Sequence, residues 1–461
     1  MQTKCALSNS SPAIRLAILG VAALAAILSS PVSASDAEKS EKQGRVITLE
    51  QAYDMTLATD QSIRIAFFEI RKATLQPWRA LSRMGPQLSA KAGYGGSGNS
   101  QTIEPRADHF VTAESDTYSR DSSISLTQPL FDPTVFPAYR LGKLTSQSAH
   151  LQYQFAVRQT LFGVAQAYYN VLKQQSVVAI NQQTVDLAQG QLKLAQTRFD
   201  VGAVARIDVM RAKATLEDAR NTLIQSKGLL SINLDTLSNI LNLGGKTDFT
   251  VAEPPNAPDE SVDFEPVLSR AYAGREDYKV AAIAIDQDIA TRNVTVAGYA
   301  PSLSVQASSN WNRSAGSGFN QNEGKSATVT VSMPFLTGGQ REIDIRTQDH
   351  IISQTRLKYE NARKSIEAEV KGAWVKVGTA RQSIQALRAE VEAATQNYTD
   401  LQAQYEAGTA TSLDVQSALR DLNNSRTLLT SQVYDYQVAL RDLQRSEAAF
   451  EKERVEKAKA K

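Results

Sequence analysis

Two stretches of this 461-residue chain are copies of each other, and that duplication limits the fold more than any other feature. The segment from Arg198 to Val209 (RFDVGAVARIDV) recurs from Gln404 to Val415 (QYEAGTATSLDV), so Gly202 matches Gly408 and Asp208 matches Asp414, each 206 residues later. Earlier in the two halves, GPQLS (85–89) echoes APSLS (300–304), and Gln128-Pro129 echoes Met333-Pro334. A chain that repeats itself builds one unit twice, and the order of elements is kept even where loop lengths differ.

Within each half the helical signal is a strict seven-residue repeat. Val164, Val171, Val178, Val185, Leu192 and Phe199 lie seven apart, and Val370, Val377, Ile384, Val391, Tyr398 and Tyr405 do the same 206 residues on. Beyond the Gly/Asp segments the repeat resumes as Val209, Leu216, Leu223, Leu230 and Leu237, then as Val415, Leu422, Leu429, Tyr436, Leu443 and Phe450. This is a coiled-coil seam, and it places two long helices per half around a short turn. The ascending segment from Pro133 to Phe199 would reach about 100 Å if continuously helical, far more than a compact domain holds. Gln, Ala, Asn, Ser and Thr fill the faces between seam positions, which suits a helix wall wetted on one side.

A second class of segment alternates with period two: residues 86–95, 122–131, 302–311 and 326–335. Leu88, Ala90, Ala92 and Tyr94 share one face, as do Ile124 and Leu126, then Leu303, Val305, Ala307 and Trp311, then Ala327, Val329, Val331, Met333 and Phe335. Each is about ten residues long, the length of a tilted membrane-spanning strand. Residues 96–120 and 312–325 between them are polar, Gly-rich and charged, and read as exterior loops.

The first 34 residues read as a secretory leader: Lys4 and Arg15 precede Asp36 as the only charges, Leu16 to Leu28 is apolar, and Val32-Ser33-Ala34 offers a cleavage site. The apolar run is too short to span a membrane as a helix. The single cysteine, Cys5, lies ahead of that run, so the mature chain is expected to carry no thiol, disulfide or acyl anchor. Loss of Lys4 and Arg15 brings the 50 basic residues to 48, equal to the 48 acidic ones. A neutral chain gives no reason to expect nucleic acid as a partner.

Four strands cannot close a barrel, and an open sheet edge is not tolerated in hydrocarbon, so the chain must oligomerise. Three copies give twelve strands, within the range of outer-membrane barrels, and gather the long helices into a hollow cylinder. Closure at eight strands by a dimer would leave a barrel filled by its own side chains. The fold class is mainly α with transmembrane β: a duplicated strand pair plus long helical hairpin, trimerising into a 12-stranded barrel on an α-helical barrel.

Ile47-Thr-Leu-Glu-Gln-Ala52, PQLS at 86–89, Gln128-Pro-Leu-Phe-Asp132, Ala167-Tyr-Tyr-Asn-Val-Leu172 and the paired Gly-x-x-x-x-x-Asp turns together resemble the TolC family of outer-membrane efflux and secretion channels. The resemblance covers about residues 45–450. It implies a homotrimer whose strands cross the outer-membrane lipid and whose helices extend into the periplasm. It further implies an exit duct for a tripartite efflux pump or a type I secretion system, joined by a periplasmic adaptor (membrane fusion) protein to an inner-membrane pump of the RND type or to an ABC transporter. On that pattern the chain divides into a leader (1–34), an N-terminal equatorial and helical segment (35–84), strand pair one (85–132), hairpin one (133–243), a linker with equatorial segment and helix (244–299), strand pair two (300–336), hairpin two (337–450) and a charged, solvated tail (451–461).

By the same resemblance the two turns form the periplasmic tips that close the duct and meet the adaptor, with Val201, Gly202, Ala203, Gly408, Thr409 and Thr411 as the contacting residues. Gly202 and Gly408 suit the left-handed conformation that ends a helix. Thr411 and Asp414 have capping-box spacing, whereas Ala205 stands where Thr411 would in the first copy, so the first tip is expected to be the looser. Asp208 and Asp414 are helix-start carboxylates that trimerisation would gather at the narrow end, attracting cations and raising their pKa values by mutual repulsion. Asp414 matches the first acidic position of the family's constriction ring, and Ser417 stands where a second acid occurs elsewhere. Tyr405 matches a gating tyrosine expected to reach toward Asp208, while Ala410 replaces a gating arginine.

No enzyme chemistry or cofactor is expected. Only His109, His150 and His350 occur, none with a metal-ligand neighbour at helical or loop spacing. Gly93, Gly95 and Gly98 match a dinucleotide fingerprint but sit in a strand with no helix after them. The rival reading is an exported structural coiled coil such as an adhesin stalk, which has no need of four alternating strands in two matched pairs.

Overall fold

The computed structural model describes residues 45–103, 111–254, 263–315 and 319–459; the expected leader and His109 lie outside the described residues. In chain order the elements are β1 (Arg45–Ile47), α1 (Leu49–Thr59), α2 (Gln61–Thr74), α3 (Gln76–Leu81), β2 (Gln87–Ile103), β3 (Val111–Phe131), α4 (Val135–Asp200), α5 (Arg206–Ile240), β4 (Phe249–Val251), α6 (Phe264–Gly274), α7 (Glu276–Ala297), β5 (Ser302–Ala315), β6 (Phe319–Ser332), α8 (Gln340–Ala407), α9 (Ser412–Ser446) and α10 (Lys452–Lys459).

α4 and α8 have 66 and 68 residues, whereas their return helices α5 and α9 have only 35 each. At 1.5 Å per residue the long helices reach about 100 Å and the return helices about half that. Separate helices therefore cover the rest. Gln287 of α7 approaches Thr145 of α4 at 3.5 Å, Arg292 pairs with Asp349 of α8 at 2.6 Å, and α3 crosses α4 at Gly142. The heptad seam is buried where the long helices pack on their return helices and on the shorter elements around them. Val164, Val171 and Val370 are fully inaccessible, and Leu216, Ile384, Tyr398, Tyr405, Val415 and Leu422 are buried. Phe199 is the exception, 43% exposed where its copy Tyr405 is 4% exposed, because among the described residues nothing covers that side of the first hairpin's end.

β2, β3, β5 and β6 form one antiparallel sheet in that order, leaving β2 and β6 as open edges. The register aligns Leu88 with Leu126, Leu126 with Ala307 and Ala307 with Ala327, so one face carries the apolar positions. Ser89, Ser125, Ser308 and Ser326 line the other, with hydroxyl pairs at 2.7 Å (Ser89–Ser125) and 2.8 Å (Ser308–Ser326). The strands are longer than their alternation indicated. Ladder pairing runs unbroken from Gln87–Thr127 to Ile103–Val111, so most of 96–120 and 312–325 is strand and not loop. Hydrogen bonding carries the hairpins on after apolar alternation stops, because side chains outside a buried band need not alternate. Gly96 illustrates the packing: a Cβ there would stand 3.2 Å from the Tyr118 ring.

At the junction of the two helix layers, β1 pairs in parallel with β4, Arg45 opposite Phe249 and Ile47 opposite Val251. The Tyr168 hydroxyl lies 2.8 Å from the Ile47 carbonyl and 2.6 Å from that of Ala252, donating between them. Around this pair, Tyr53, Leu161, Leu237, Phe450 and Val455 form the main apolar core. The stretch from 451, expected as a solvated tail, instead folds as α10 and docks. Val455 is 2% exposed, and the Arg454 guanidinium is held by Glu50 and Asp54 of α1 and lies over the Tyr53 ring. The charges in this segment are partners for α1, which composition alone cannot reveal. Burial, with Glu50 adding repulsion, pushes the Glu451 carboxyl above its usual range despite neighbouring Arg454.

A second polar hub ties the halves together. Arg158 of α4 pairs with Glu276 of α7 at 2.6 Å, both side chains under a tenth exposed, and also donates to the Phe450 carbonyl at 2.6 Å. Beside it Arg275 meets Asp277 at 2.7 Å and Glu369 of α8 at 2.8 Å, and Arg445 of α9 meets Glu369 at 2.8 Å and Asp442 at 2.7 Å. Burial raises the Asp277 carboxyl, but the hydrogen bonds and charge of Arg275, with the Tyr278 amide, outweigh it and hold the group below its ordinary value.

Candidate functional site

Each long helix ends in the same way. Gly202 (φ 74°) and Gly408 (φ 84°) take the left-handed conformation. Ala203 and Thr409 amides donate back to the Arg198 and Gln404 carbonyls at 2.8 and 2.9 Å, and the glycine amides to Phe199 and Tyr405 at 2.9 and 3.0 Å. Paired 6→1 and 5→2 bonds of this kind terminate a helix, and only glycine takes that backbone without steric penalty.

The next helices begin differently. At α9 the Asp414 carboxylate accepts from the Thr411 amide at 3.0 Å and hydroxyl at 2.6 Å, while the Asp414 amide donates to the Thr411 hydroxyl at 3.4 Å. At α5 the cap position is Ala205, with no side-chain bond. The two bonds donated by Thr411 hold the Asp414 carboxyl below its ordinary value within one chain, because the cap stabilises the anion locally; the rise expected on trimerisation concerns repulsion between copies. Amides at 201–208 are therefore expected to exchange with solvent several-fold faster than those at 407–414, since losing a cap is worth about 1 kcal/mol; hydrogen exchange read by mass spectrometry checks this, and equal or slower exchange at 201–208 would contradict it.

Asp208 has another partner instead. Its carboxylate accepts from the Ser412 hydroxyl at 2.5 Å, with Arg211 at 3.9 Å, so the start of α5 is tied to the start of α9. A second link joins the same two tips: Arg198 of α4 donates to the Tyr405 carbonyl, and its guanidinium lies 5.0 Å over the Tyr405 ring. Tyr405 itself is buried, and its hydroxyl makes no hydrogen bond, so the expected reach to Asp208 is not made. Burial chiefly, with Asp208 nearby, raises the Tyr405 hydroxyl pKa, and Arg198 opposes the rise. Beneath the tips, Val185, Leu216, Leu223, Tyr398, Val415 and Leu419 pack as one cluster drawn from all four long helices.

The structure thus brings Asp208, Tyr405 and Ser412 together and leaves Asp414 and Ser417 on an exposed face of α9. Val201 (75% exposed), Gly202, Ala203, Gly408, Thr409 and Thr411 stand at the solvent end of the hairpins. Arg198 and Ser412 are the functional candidates the sequence did not disclose. Ser412 aligns with Arg206 of the other copy, and nothing linear signals that it faces Asp208.

An open sheet apolar on one face and polar on the other, carried on helices of which two reach about 100 Å, defines the class as a membrane channel protomer. Residues 52–243 and 267–448 match the model of the family described as outer membrane efflux protein. The chain belongs to that family, whose members are transport channels and not enzymes. Among solved structures it is similar to the CmeC outer membrane channel of Campylobacter jejuni (15% identity, 94% of this chain and 97% of that one, TM-score 0.70). It is also similar to a membrane protein from Pseudomonas aeruginosa (19%, 91% and 97%, 0.71) and to the open state of the MtrE outer membrane channel of Neisseria gonorrhoeae (16%, 92% and 96%, 0.66). No curated protein sequence matches the chain.

Proposed function

We propose that three copies close edge to edge, β6 of one on β2 of the next, into a twelve-stranded outer-membrane barrel above a periplasmic helical cylinder. This duct passively conducts what an inner-membrane pump delivers. The observation that supports this reading is the unclosed four-stranded sheet whose apolar face needs lipid. In hydrocarbon each unpaired backbone group costs several kcal/mol, and neighbouring copies remove both edges at once.

At the other end, the exposed tips at 201–203 and 408–411 offer the surface on which a periplasmic adaptor docks. Threefold repetition gathers Asp208 and Asp414 into a negative constriction, with Ser417 one turn deeper along α9, and the Tyr405 side chain packs behind it. The pump is of the proton-driven RND type or an ABC transporter, and co-purification after crosslinking distinguishes small-molecule efflux from protein secretion.

The test is a planar-bilayer recording on the purified full-length protein. A detergent-extracted trimer that resists dissociation until heated and conducts cations over anions is expected, and Asp414→Ala should lower that selectivity several-fold. A water-soluble monomer or dimer without conductance would overturn the reading; unchanged selectivity in Asp414→Ala would remove Asp414 from the constriction.

A further inference from the structure

Arg120 of β3 and Arg313 of β5 stand directly opposite each other in the ladder. Alternation puts both on the apolar face, in the rows that continue Leu126, Ile124 and Ser122 on one strand and Val305, Ala307 and Trp311 on the other. Both side chains are exposed. Like charges directly opposed across an antiparallel pair repel, and arginine on a lipid-facing surface is unfavourable unless it sits near the interface. Something must offset both effects.

Among the described residues neither arginine makes an ion pair, although the carboxylate of Glu323 stands on the same face opposite Trp311. The adjoining residues on this face are Tyr94 beside Arg120 and Gln321 beside Arg313, the Ser122–Trp311 pair below and the Tyr118–Ala315 pair above. Glu323 is occupied by Lys325 at 3.3 Å. Asp121 points to the polar face, where it accepts from Asn312 at 2.6 Å. Nor does trimer closure bring one in alongside, because β3 and β5 are the inner strands and only β2 and β6 meet neighbours.

The position of the pair points to its ligand. From Leu303 to Trp311 the apolar stretch of β5 covers about 26 Å at 3.3 Å per residue, comparable with the apolar band of an outer-membrane barrel. The arginines come next, at the end of the sheet away from the helices. Tyr94, Tyr118 and Trp311 surround them, with the two tyrosines stacked at 6.4 Å and 16°. Aromatic residues of this kind sit at headgroup level.

We infer that Arg120 and Arg313 together hold the phosphate of a phosphorylated lipid in the outer leaflet. Two planar guanidinium groups match phosphate oxygens in a way no single point charge does, and the bound phosphate turns their mutual repulsion into shared attraction. The inference rests on the outer-membrane reading above.

Its test uses the full-length trimer in phosphatidylcholine vesicles doped either with a phosphorylated lipid A or with the same lipid stripped of phosphate, the retained lipid being counted by native mass spectrometry. Wild type is expected to retain the phosphorylated lipid selectively. Arg120→Gln/Arg313→Gln should weaken retention about thirtyfold, since each of the two basic residues near an anionic surface contributes about 1 kcal/mol. Lys91→Gln, on the polar face, should change nothing. The pair Arg120→Lys/Arg313→Lys keeps the charge and should lose less than the glutamine pair. Equal retention of both lipids by wild type, or equal retention by wild type and the inserted glutamine variant, overturns the site. Displacement of the lipid by millimolar inorganic phosphate shows a free-anion site and overturns the lipid assignment. Failure of wild type to insert into vesicles overturns the outer-membrane reading, and this inference with it.

Discussion

Arg158→Met should destabilise the protein by about 3–5 kcal/mol, the cost of leaving a buried carboxylate without its partner. Glu276 is 8% exposed in its side chain, and among the described residues its close cation is Arg158 at 2.6 Å. The same guanidinium satisfies the Phe450 carbonyl where the chain turns from α9 into α10. One substitution therefore strands a charge and a backbone acceptor together. The informative comparison is the double variant Arg158→Met/Glu276→Leu, which removes both charges. It should recover more than half of the loss, because a buried ion pair is worth little against apolar groups of similar volume. Thermal melting of the purified protein in detergent, followed by circular dichroism, measures both; a double variant no better than the single one would show that geometry and not charge is at stake.

Gly142→Val is expected to cost on the order of 3 kcal/mol or more, at the upper end for overpacking. A Cβ at Gly142 would lie 2.6 Å from the Pro77 nitrogen, 2.8 Å from the Gln76 carbonyl carbon and 2.9 Å from the Pro77 Cα. All three atoms are backbone, so no side chain can swing aside, and α3 must lift from α4. Gly190 lies in the same helix, and a Cβ added there would meet nothing within 4 Å. Gly190→Ala should be neutral or stabilising by up to about 1 kcal/mol, because glycine is a poor helix former. The contrast within one helix separates packing from propensity, and the same melting experiment reads both; a Gly142→Val protein that melts like wild type would place α3 elsewhere.

Much of the architecture is legible in the chain because its signals are periodic. Seven-residue spacing identifies the long helices and the positions they bury, down to Tyr398 and Tyr405. Period-two alternation identifies the four strands and their apolar face. The Thr411–Asp414 spacing specifies one helix start completely. Each of these is a short-range rule in which a residue's role follows from neighbours a few positions away.

What stayed hidden depends on residues far apart in sequence. The Asp208–Ser412 bond spans 204 positions and the Arg158–Phe450 bond 292, and no local pattern encodes either. The tail from 451 looked solvated because its charges were counted without their partners on α1, some 400 positions earlier. The strand ends were set too short because ladder hydrogen bonds, unlike apolar faces, leave no trace in composition.

Alone, the sequence determined a duplicated unit of hairpin and strand pair and the side of the long helices and of the four strands that leaves water, since burial there follows the repeat of the backbone. Only the tertiary structure decided which charges face each other: the two tips latched through Asp208 and Arg198, the halves joined at Arg158, and two arginines opposed on the apolar face of the sheet. Electrostatic and hydrogen-bond partners are chosen by distance in space, and that distance exists only once the chain has folded.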